Sequence, residues 1–181
     1  MSAHLLPLTA VDRGAPFWPW TGWIYACVFF MPLLPCFIAR TDDDVRRLCF
    51  SFAGMTTVCS AVFFLYPTAY PRPEMQAAGL AGWPLAVVRA LDTARNCLPS
   101  QHVAAAFLSA FHIRRHRRGL AGAALALAVA ISASTLTTKQ HYLWDVLAGF
   151  LTAVLAYRLS GAGLFNATAV PPLRATVPGD Y

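Results

Sequence analysis

One histidine and one aspartate in the last third of the chain are spaced to do chemistry together. His141 and Asp145 are four residues apart, which on a helix places both side chains on one face and within reach of each other. Asp145 is also the only acid inside any of the long apolar segments. An ionisable group in such a segment costs about 2.5–3.5 kcal/mol on membrane-insertion scales and marks a functional residue. We therefore predict that Asp145 holds the His141 imidazole in one tautomer.

A second histidine begins another apolar segment. His102 follows Ser100 and Gln101. Ser100 is a good helix N-cap, and a cap at this position leaves the backbone amides of Gln101 and His102 free to point outward. Free amides and the helix dipole make a helix start a ready site for an anion. Arg72 and Lys139 are predicted to add positive charge on the same side.

These groups together suit phosphoryl transfer. The imidazole of His141 can attack phosphorus, and that of His102 can protonate the departing oxygen. Cations and amides then stabilise the charge on the equatorial oxygens. This chemistry needs no metal ion. The five cysteines show no pairwise metal-binding spacing and are interpreted as packing residues, so we predict no metal and no other cofactor.

The composition indicates a membrane protein. The chain has 181 residues, of which 57% are hydrophobic and only 12% charged, whereas about 25% are charged in ordinary soluble domains. Mean hydropathy is +0.52. The net charge of +6 would suggest a nucleic-acid partner in a soluble protein. Here the arginines cluster in short loops between apolar segments, which favours a role in membrane topology and no nucleic-acid partner.

The segments predict an all-α membrane helix bundle that forms a single domain. Residues 67–98 are too polar to span and are predicted to form an active-site loop that contains a short interfacial helix. Residues 1–16 are interpreted as a short polar tail that contains proline, and residues 160–181 as a loose tail. Five transmembrane helices are predicted over residues 17–38, 48–66, 99–113, 119–133 and 141–159.

The distribution of loop charge predicts the orientation of the bundle. The side that carries Arg40, Arg46, Arg47 and the Arg114–Arg118 cluster is the more basic in its short loops. It is therefore expected to face the cytoplasm. Loop 67–98 and the approach to His141 then both lie outside. We expect a protein of the plasma (inner) membrane with its active site on the outer, periplasmic face.

The residues around both histidines resemble a known family. The sequence P-S-Q-H, which ends at His102, is similar to the P-S-G-H motif of the type 2 phosphatidic acid phosphatase and haloperoxidase superfamily. The sequence S-T-L-T-T-K-Q-H-Y-L-W-D, which ends at Asp145, resembles the family's third motif. Of the first motif only Arg72-Pro73 remains. Within the family, the chain looks like the membrane branch of inositol phosphorylceramide synthase-like lipid phosphotransferases.

The resemblance implies a role for each matching residue. His141 matches the nucleophile that becomes phosphohistidine, Asp145 its orienting carboxylate and His102 the general acid. The phosphate-binding positions match Arg72, Ser100 and Gln101, the last through its backbone amide. Two of the family's cationic positions hold Leu65 and Thr135 instead. We predict that Lys139 supplies part of the missing charge.

The resemblance favours a lipid-phosphate phosphatase that acts on a phospholipid or an isoprenoid phosphate. Its expected partners are that substrate and the surrounding membrane lipids, while the sequence predicts no particular oligomeric state. Transfer of a phospho-headgroup to a lipid hydroxyl is the close alternative, because it shares the phosphohistidine step and only the acceptor differs. A non-catalytic lipid-binding or transport protein is a third possibility, which the two missing cations favour.

Overall fold

A computed structural model describes residues 3–74 and 79–162 of the chain. Most of the described residues are helical and very few are in strands, and the prediction of an all-α membrane helix bundle is confirmed. Four stretches are long and apolar enough to cross a membrane: Pro19–Ile38, Asp42–Leu65, Arg118–Thr137 and Leu143–Gly161. The α-helices are α1 (Ala10–Gly14), α2 (Gly22–Ala26), α3 (Leu33–Ile38), α4 (Asp42–Leu65), α5 (Trp83–Leu91), α6 (Gln101–His116), α7 (Arg118–Thr137) and α8 (Leu143–Gly161).

The first predicted span is a broken helix. Short 3-10 turns at Pro19–Thr21 and Cys27–Phe29 flank α2, and α3 follows separately. Pro32 directly precedes α3, and Pro35 lies inside it. A proline lacks the amide hydrogen that an α-helix needs and clashes with the preceding turn. The two prolines therefore account for the break in the helix within one apolar stretch.

α4 begins with a capping box. The side chain of Thr41 accepts a hydrogen bond from the Asp44 amide, and the Asp44 carboxylate accepts one from the Thr41 amide. Asp42, Asp43 and Asp44 form the first turn of this helix. Their negative charges stabilise the positive end of the helix dipole. The helix therefore starts several residues before the predicted span at 48–66.

α6 is the central helix of the bundle and also the shortest of the five predicted spans. Its 16 residues cover about 24 Å at 1.5 Å per residue, less than the roughly 30 Å of a bilayer core. It packs against α3, α4, α7 and α8. A helix enclosed by other helices does not have to span the lipid by itself, because its neighbours provide the contact with the hydrocarbon.

Two apolar clusters form around α6. One combines Ala106 and Ala110 of α6 with Ala124 and Ala128 of α7 and with side chains from α2 and α5. The other joins α6 with α4 and α8. Small residues at these contacts allow helix backbones to approach closely, which favours helix association within a membrane. The core of the bundle is therefore built from both sides of α6.

The residues predicted as a short polar tail form a strand and a short helix. Strand β1 (His4–Leu5) pairs in parallel with strand β2 (Thr68–Ala69). Thr9 caps α1 through a capping box with Asp12. The buried Asp12 carboxylate also accepts a hydrogen bond from the Leu143 amide at 2.8 Å, at the start of α8. The N-terminal segment therefore lies against the predicted active-site loop and the His141 region.

Loop 67–98 contains the predicted short helix as α5. Leu85 and Val88 on its apolar face are fully buried, whereas Leu91 is exposed. α5 packs against α2, where a Cβ atom on Gly22 would come within 2.9 Å of the Leu85 backbone nitrogen. Glycine is therefore required for this close approach. At the other end of the chain, α8 continues to Gly161, so the predicted tail lies mostly outside the described residues.

Candidate active site

The His141–Asp145 pair lies at the start of α8, with Asp145 in the first turn of the helix and His141 two residues before it. Asp145 Oδ2 lies 3.3 Å from His141 Nδ1 and accepts a hydrogen bond from the Tyr142 amide at 2.9 Å. Asp145 is completely buried, and His141 is 5% exposed. Among the described residues, His141 Nε2 and Asp145 Oδ1 have no hydrogen-bond partner. The carboxylate therefore orients Nδ1 and leaves Nε2 as the reactive nitrogen of the imidazole.

His102 is positioned by the start of α6. Ser100 is the N-cap: its hydroxyl accepts a hydrogen bond from the Val103 amide at 3.3 Å. The Ser100 amide in turn donates to the Asp145 carbonyl at 3.0 Å. This bond connects the starts of the two helices that carry the histidines. The cap itself was predicted from the sequence, but its bond to the Asp145 backbone was not.

A glycine permits the close contact between these two helix starts. A Cβ atom on Gly149 would lie 2.5 Å from the carbonyl oxygen of Ser100 and 3.2 Å from the Val103 side chain. Real Cβ atoms do not approach so closely, so any other residue would force α6 and α8 apart. Gly149 is therefore part of what sets the distance between the two histidines.

The two imidazole rings face each other across a cavity. Their centroids are 6.0 Å apart, with an interplanar angle of 57°. His102 Nδ1 lies 3.0 Å from the Tyr25 hydroxyl, which leaves Nε2 of His102 available for proton transfer. Tyr25 was missed in the sequence. The one feature of the sequence that could have indicated Tyr25 is its hydroxyl group inside an apolar span, because a buried tyrosine hydroxyl usually needs a hydrogen-bond partner.

The cavity has a volume of about 190 Å³. Both histidines line it, together with Gln101, whose backbone amide was predicted to bind phosphate. The remaining lining residues come from the end of α4 and from the loop after α5: Phe63, Asp92, Thr93, Arg95, Asn96 and Cys97. The predicted catalytic residues and the active-site loop are therefore brought together at one end of the bundle.

The two predicted cationic residues have other partners. Arg72 donates hydrogen bonds to the Asp92 carbonyl, the Asp92 carboxylate and the Thr93 carbonyl at 2.6, 3.0 and 2.9 Å. Lys139 donates to the carbonyls of Asp12 and Ala15 at 2.8 and 2.6 Å. Neither lines the cavity. Arg72 supports the loop behind the cavity, and the Lys139 ammonium is directed to the N-terminal segment instead of to a bound phosphate.

Comparison with known families agrees with this arrangement. A family model described as the PAP2 superfamily matches residues 10–159. The chain belongs to the PAP2 superfamily. Members of this superfamily are generally phosphatases or related phosphotransferases, and the four apolar helices of this chain indicate a membrane protein. No curated protein and no solved structure matches the chain.

The match to the PAP2 superfamily is longer than the region around the two motifs. It begins at residue 10, within the N-terminal segment whose Asp12 contacts the start of α8. The resemblance seen in the sequence alone covers only about residues 66–150. The ordered N-terminal segment is therefore part of the PAP2 region of this chain.

Two cationic positions of the PAP2 pattern are empty in this chain. Leu65 is 79% exposed at the end of α4. Thr135 is fully buried, and its hydroxyl donates to the Ser132 carbonyl at 2.7 Å. Arg95 is the one arginine or lysine among the cavity-lining residues, and its guanidinium has no hydrogen bond or ion pair with any described residue. Arg95, which was not among the predicted site residues, is therefore the cationic residue at the cavity.

Arg95 was missed because the sequence suggested a longer helix. The charges at Arg89, Asp92 and Arg95 were interpreted as the polar face of one interfacial helix. α5 ends at Leu91 instead, and Asn96 adopts a positive φ of 59° in the loop that follows. The chain turns there, which brings Arg95 to the cavity. A positive φ is common for asparagine, so Asn96 was the available signal for this turn.

One group of described side chains offers donors for a metal ion. One ligand atom each from Cys97, His141 and Asp145 lie within 4.8 Å of one another. Burial, with a smaller contribution from the Asp145 charge, raises the pKa of the Cys97 thiol to about 12. A bound metal ion would itself deprotonate the thiol, so the raised pKa does not decide between a metal and no metal. A metal on the imidazole would, however, compete with the predicted role of His141 as nucleophile. Metal-independent chemistry therefore remains the prediction.

Proposed function

We propose that this protein is an integral membrane lipid-phosphate phosphatase that works through a phosphohistidine intermediate. The observation that carries the proposal is the placement of His102 and His141 across one small cavity, with ring centroids 6.0 Å apart. Asp145 behind His141 supports the assignment of His141 as the nucleophile. His102, held at Nδ1 by Tyr25, is assigned as the proton donor.

In the first step, Nε2 of His141 attacks phosphorus and a nitrogen–phosphorus bond forms. The phosphorus–oxygen bond to the lipid alcohol breaks, and the alcohol oxygen takes the proton from Nε2 of His102. In the second step, the oxygen of a water molecule forms a bond to phosphorus, the nitrogen–phosphorus bond to His141 breaks, and a proton of that water returns to His102. Inorganic phosphate leaves, and both imidazoles regain their starting states.

Arg95 and the start of α6 are proposed to bind the phosphate oxygens. The first amides of a helix have no acceptor within the helix, so Gln101 and His102 can donate to the transferring group. Arg95 adds a full positive charge at the rim of the cavity. Ser100 acts by holding the helix start in place. Together they provide the charge stabilisation that phosphoryl transfer requires.

A lipid substrate is supported by the surroundings of the cavity. Phe63 at the end of α4 lines it, and the adjoining Phe64 and Leu65 are 75% and 79% exposed. Exposed apolar side chains beside a polar site favour a substrate with a phosphate at one end and hydrocarbon beyond it. A phospholipid or an isoprenoid phosphate has this form. The distribution of loop charge supports a site at the outer face of the inner membrane.

The test is phosphate release by the purified protein from a panel of phospholipid and isoprenoid phosphates. We expect His141→Ala to lower the rate at least about 10³-fold and to abolish the acid-labile phosphohistidine formed from ³²P-labelled substrate. His116→Ala, in the last turn of α6, is the matched control and should retain activity. Label on His141 with transfer only to added lipid alcohols would indicate a phosphotransferase. Unchanged function of His141→Ala without any labelling would indicate a non-catalytic lipid-binding or transport protein.

A further inference from the structure

A large groove lies at the other end of α6 from the histidines. Its volume is about 900 Å³, and it is lined by residues from the end of α6, the start of α7 and the end of α8. His102 is in the first turn of α6 and Arg114 in the last, about 18 Å apart along the helix axis at 1.5 Å per residue. The groove and the histidine cavity are therefore separate sites.

Four arginines line this groove: Arg114, Arg115, Arg118 and Arg158. Among the residues that the structure describes, no acidic side chain lines it with them. Within the described ranges, the nearest counter-charge is Asp44, whose Oδ1 lies 4.0 Å from Arg115 Nε. The side chains of the other three arginines have no hydrogen bond or ion pair with a described residue. A positive field this concentrated and uncompensated is complementary to an anion.

The rest of the groove is apolar. Phe111 of α6 contacts Phe150 and Tyr157 of α8, with ring centroids 6.5 and 5.5 Å apart. The half-buried Val154 and Ala121 complete the surface. α7 and α8 each pack along α6, but they do not pack along each other. An apolar channel is therefore left open between them, directly beside the arginines.

We propose that this groove binds an anionic phospholipid. Its phosphate lies among the four arginines, and one acyl chain covers the aromatic surface between α7 and α8. Guanidinium groups bind phosphate through paired hydrogen bonds, and basic pockets between membrane helices suit anionic headgroups. Inorganic phosphate would satisfy the arginines but would leave the apolar channel uncovered. This lipid-binding site does not depend on the proposed phosphatase activity.

The test uses the purified full-length protein in detergent micelles with equal amounts of phosphatidylglycerol and phosphatidylcholine. Native mass spectrometry measures which lipid stays bound. We expect a clear preference for phosphatidylglycerol, which Arg118→Gln and Arg158→Gln each lower about fivefold. His141→Ala should leave this preference unchanged. Equal retention of the two lipids by the wild type would overturn the proposal.

A second variant separates the groove from a general effect of charge. Val154→Trp fills the channel while all four arginines remain, so phosphatidylglycerol retention should fall at least as much as with one arginine removed. Leu155→Trp is the matched control, because Leu155 is 49% exposed and does not line the groove. Unchanged binding by Val154→Trp would refute an acyl-chain site. Displacement of the lipid by excess glycerol 3-phosphate would refute it as well, since the headgroup alone would then be sufficient.

Discussion

Next to the proposed nucleophile His141, Asp145 is the single residue whose replacement is expected to affect catalysis most. Asp145 is fully buried and contacts only one nitrogen of the ring. In Asp145→Asn the amide can no longer stabilise the charged imidazole or select its tautomer. We expect kcat to fall about 10²–10⁴-fold, with little change in KM. The measurement is steady-state phosphate release.

The same variant has a structural control. Asp145 Oδ2 also accepts from the Tyr142 amide, and the asparagine carbonyl can replace that bond. The melting temperature of Asp145→Asn should therefore stay close to that of the wild type. Full activity in the variant would contradict the assignment of Asp145 as the orienting group.

Arg95 was predicted to lie on the interfacial helix, but it lies in the loop after α5 and lines the cavity. As the cation at the cavity rim, it is expected to contribute a charge-assisted contact with the substrate phosphate. Such contacts are worth about 1.5–3 kcal/mol, so Arg95→Gln should lower kcat/KM roughly 10–100-fold. Arg95→Lys should recover part of this loss.

The matched control for Arg95 is Arg40→Gln, another exposed arginine. Arg40 precedes the start of α4, whose far end contributes Phe63 to the cavity. Its replacement should leave kcat/KM unchanged. If Arg40→Gln and Arg95→Gln lowered kcat/KM equally, the effect of Arg95 would be a general one of surface charge.

At the scale of the element, the site depends on how closely α6 and α8 approach. Gly149→Ala places a methyl group 2.5 Å from the Ser100 carbonyl. The helices must then separate, and overpacking of this kind costs about 1–3 kcal/mol. We expect a lower melting temperature together with a loss of activity, because the distance between the histidines changes.

Gly122→Ala is the matched control for that substitution, since a Cβ atom on Gly122 of α7 would meet no atom within 4 Å. Alanine is also the better helix former by about 1 kcal/mol. Stability should therefore stay equal or rise. A wild-type melting temperature and full activity in Gly149→Ala would show that the contact between α6 and α8 does not determine the distance between the two histidines.

The N-terminal segment is the second element whose position matters. Lys139 has a positive φ of 54° at the end of α7, and its ammonium donates to two carbonyls of that segment. If this contact is its function, Lys139→Met should lower the melting temperature and reduce kcat. A phosphate-binding role would instead raise KM and leave the melting temperature unchanged. Arg13→Met, on the exposed face of α1, is the control.

At the scale of the molecule, local patterns in the sequence were sufficient for the helices and for the two motif histidines. Long apolar segments can bury their backbone polar groups in lipid only as helices, so the all-α class followed from composition. The Asp145 spacing and the Ser100 cap act within one turn of a helix, where geometry depends on few residues. This explains why these features were predictable.

Contacts between distant segments were not predictable in this way. The N-terminal strand pairs with residues 68–69, and Asp12 bonds to the Leu143 amide, 131 residues away. Arg72 and Lys139 carry the charge that phosphate binding needs, but their partners are carbonyls and a carboxylate elsewhere in the fold. Charge type alone does not reveal which acceptor a long side chain will reach.

The sequence by itself determined that this chain is a helical membrane protein, where its helices form and which two histidines are candidates for the chemistry. Each of these depends on apolar length, caps and spacing within a few residues. Only the tertiary structure decided that the imidazoles share a cavity and that Arg95 is its cation. It also decided that four arginines border an apolar groove. These depend on how separate helices pack, because packing sets distances between residues that the chain order keeps apart.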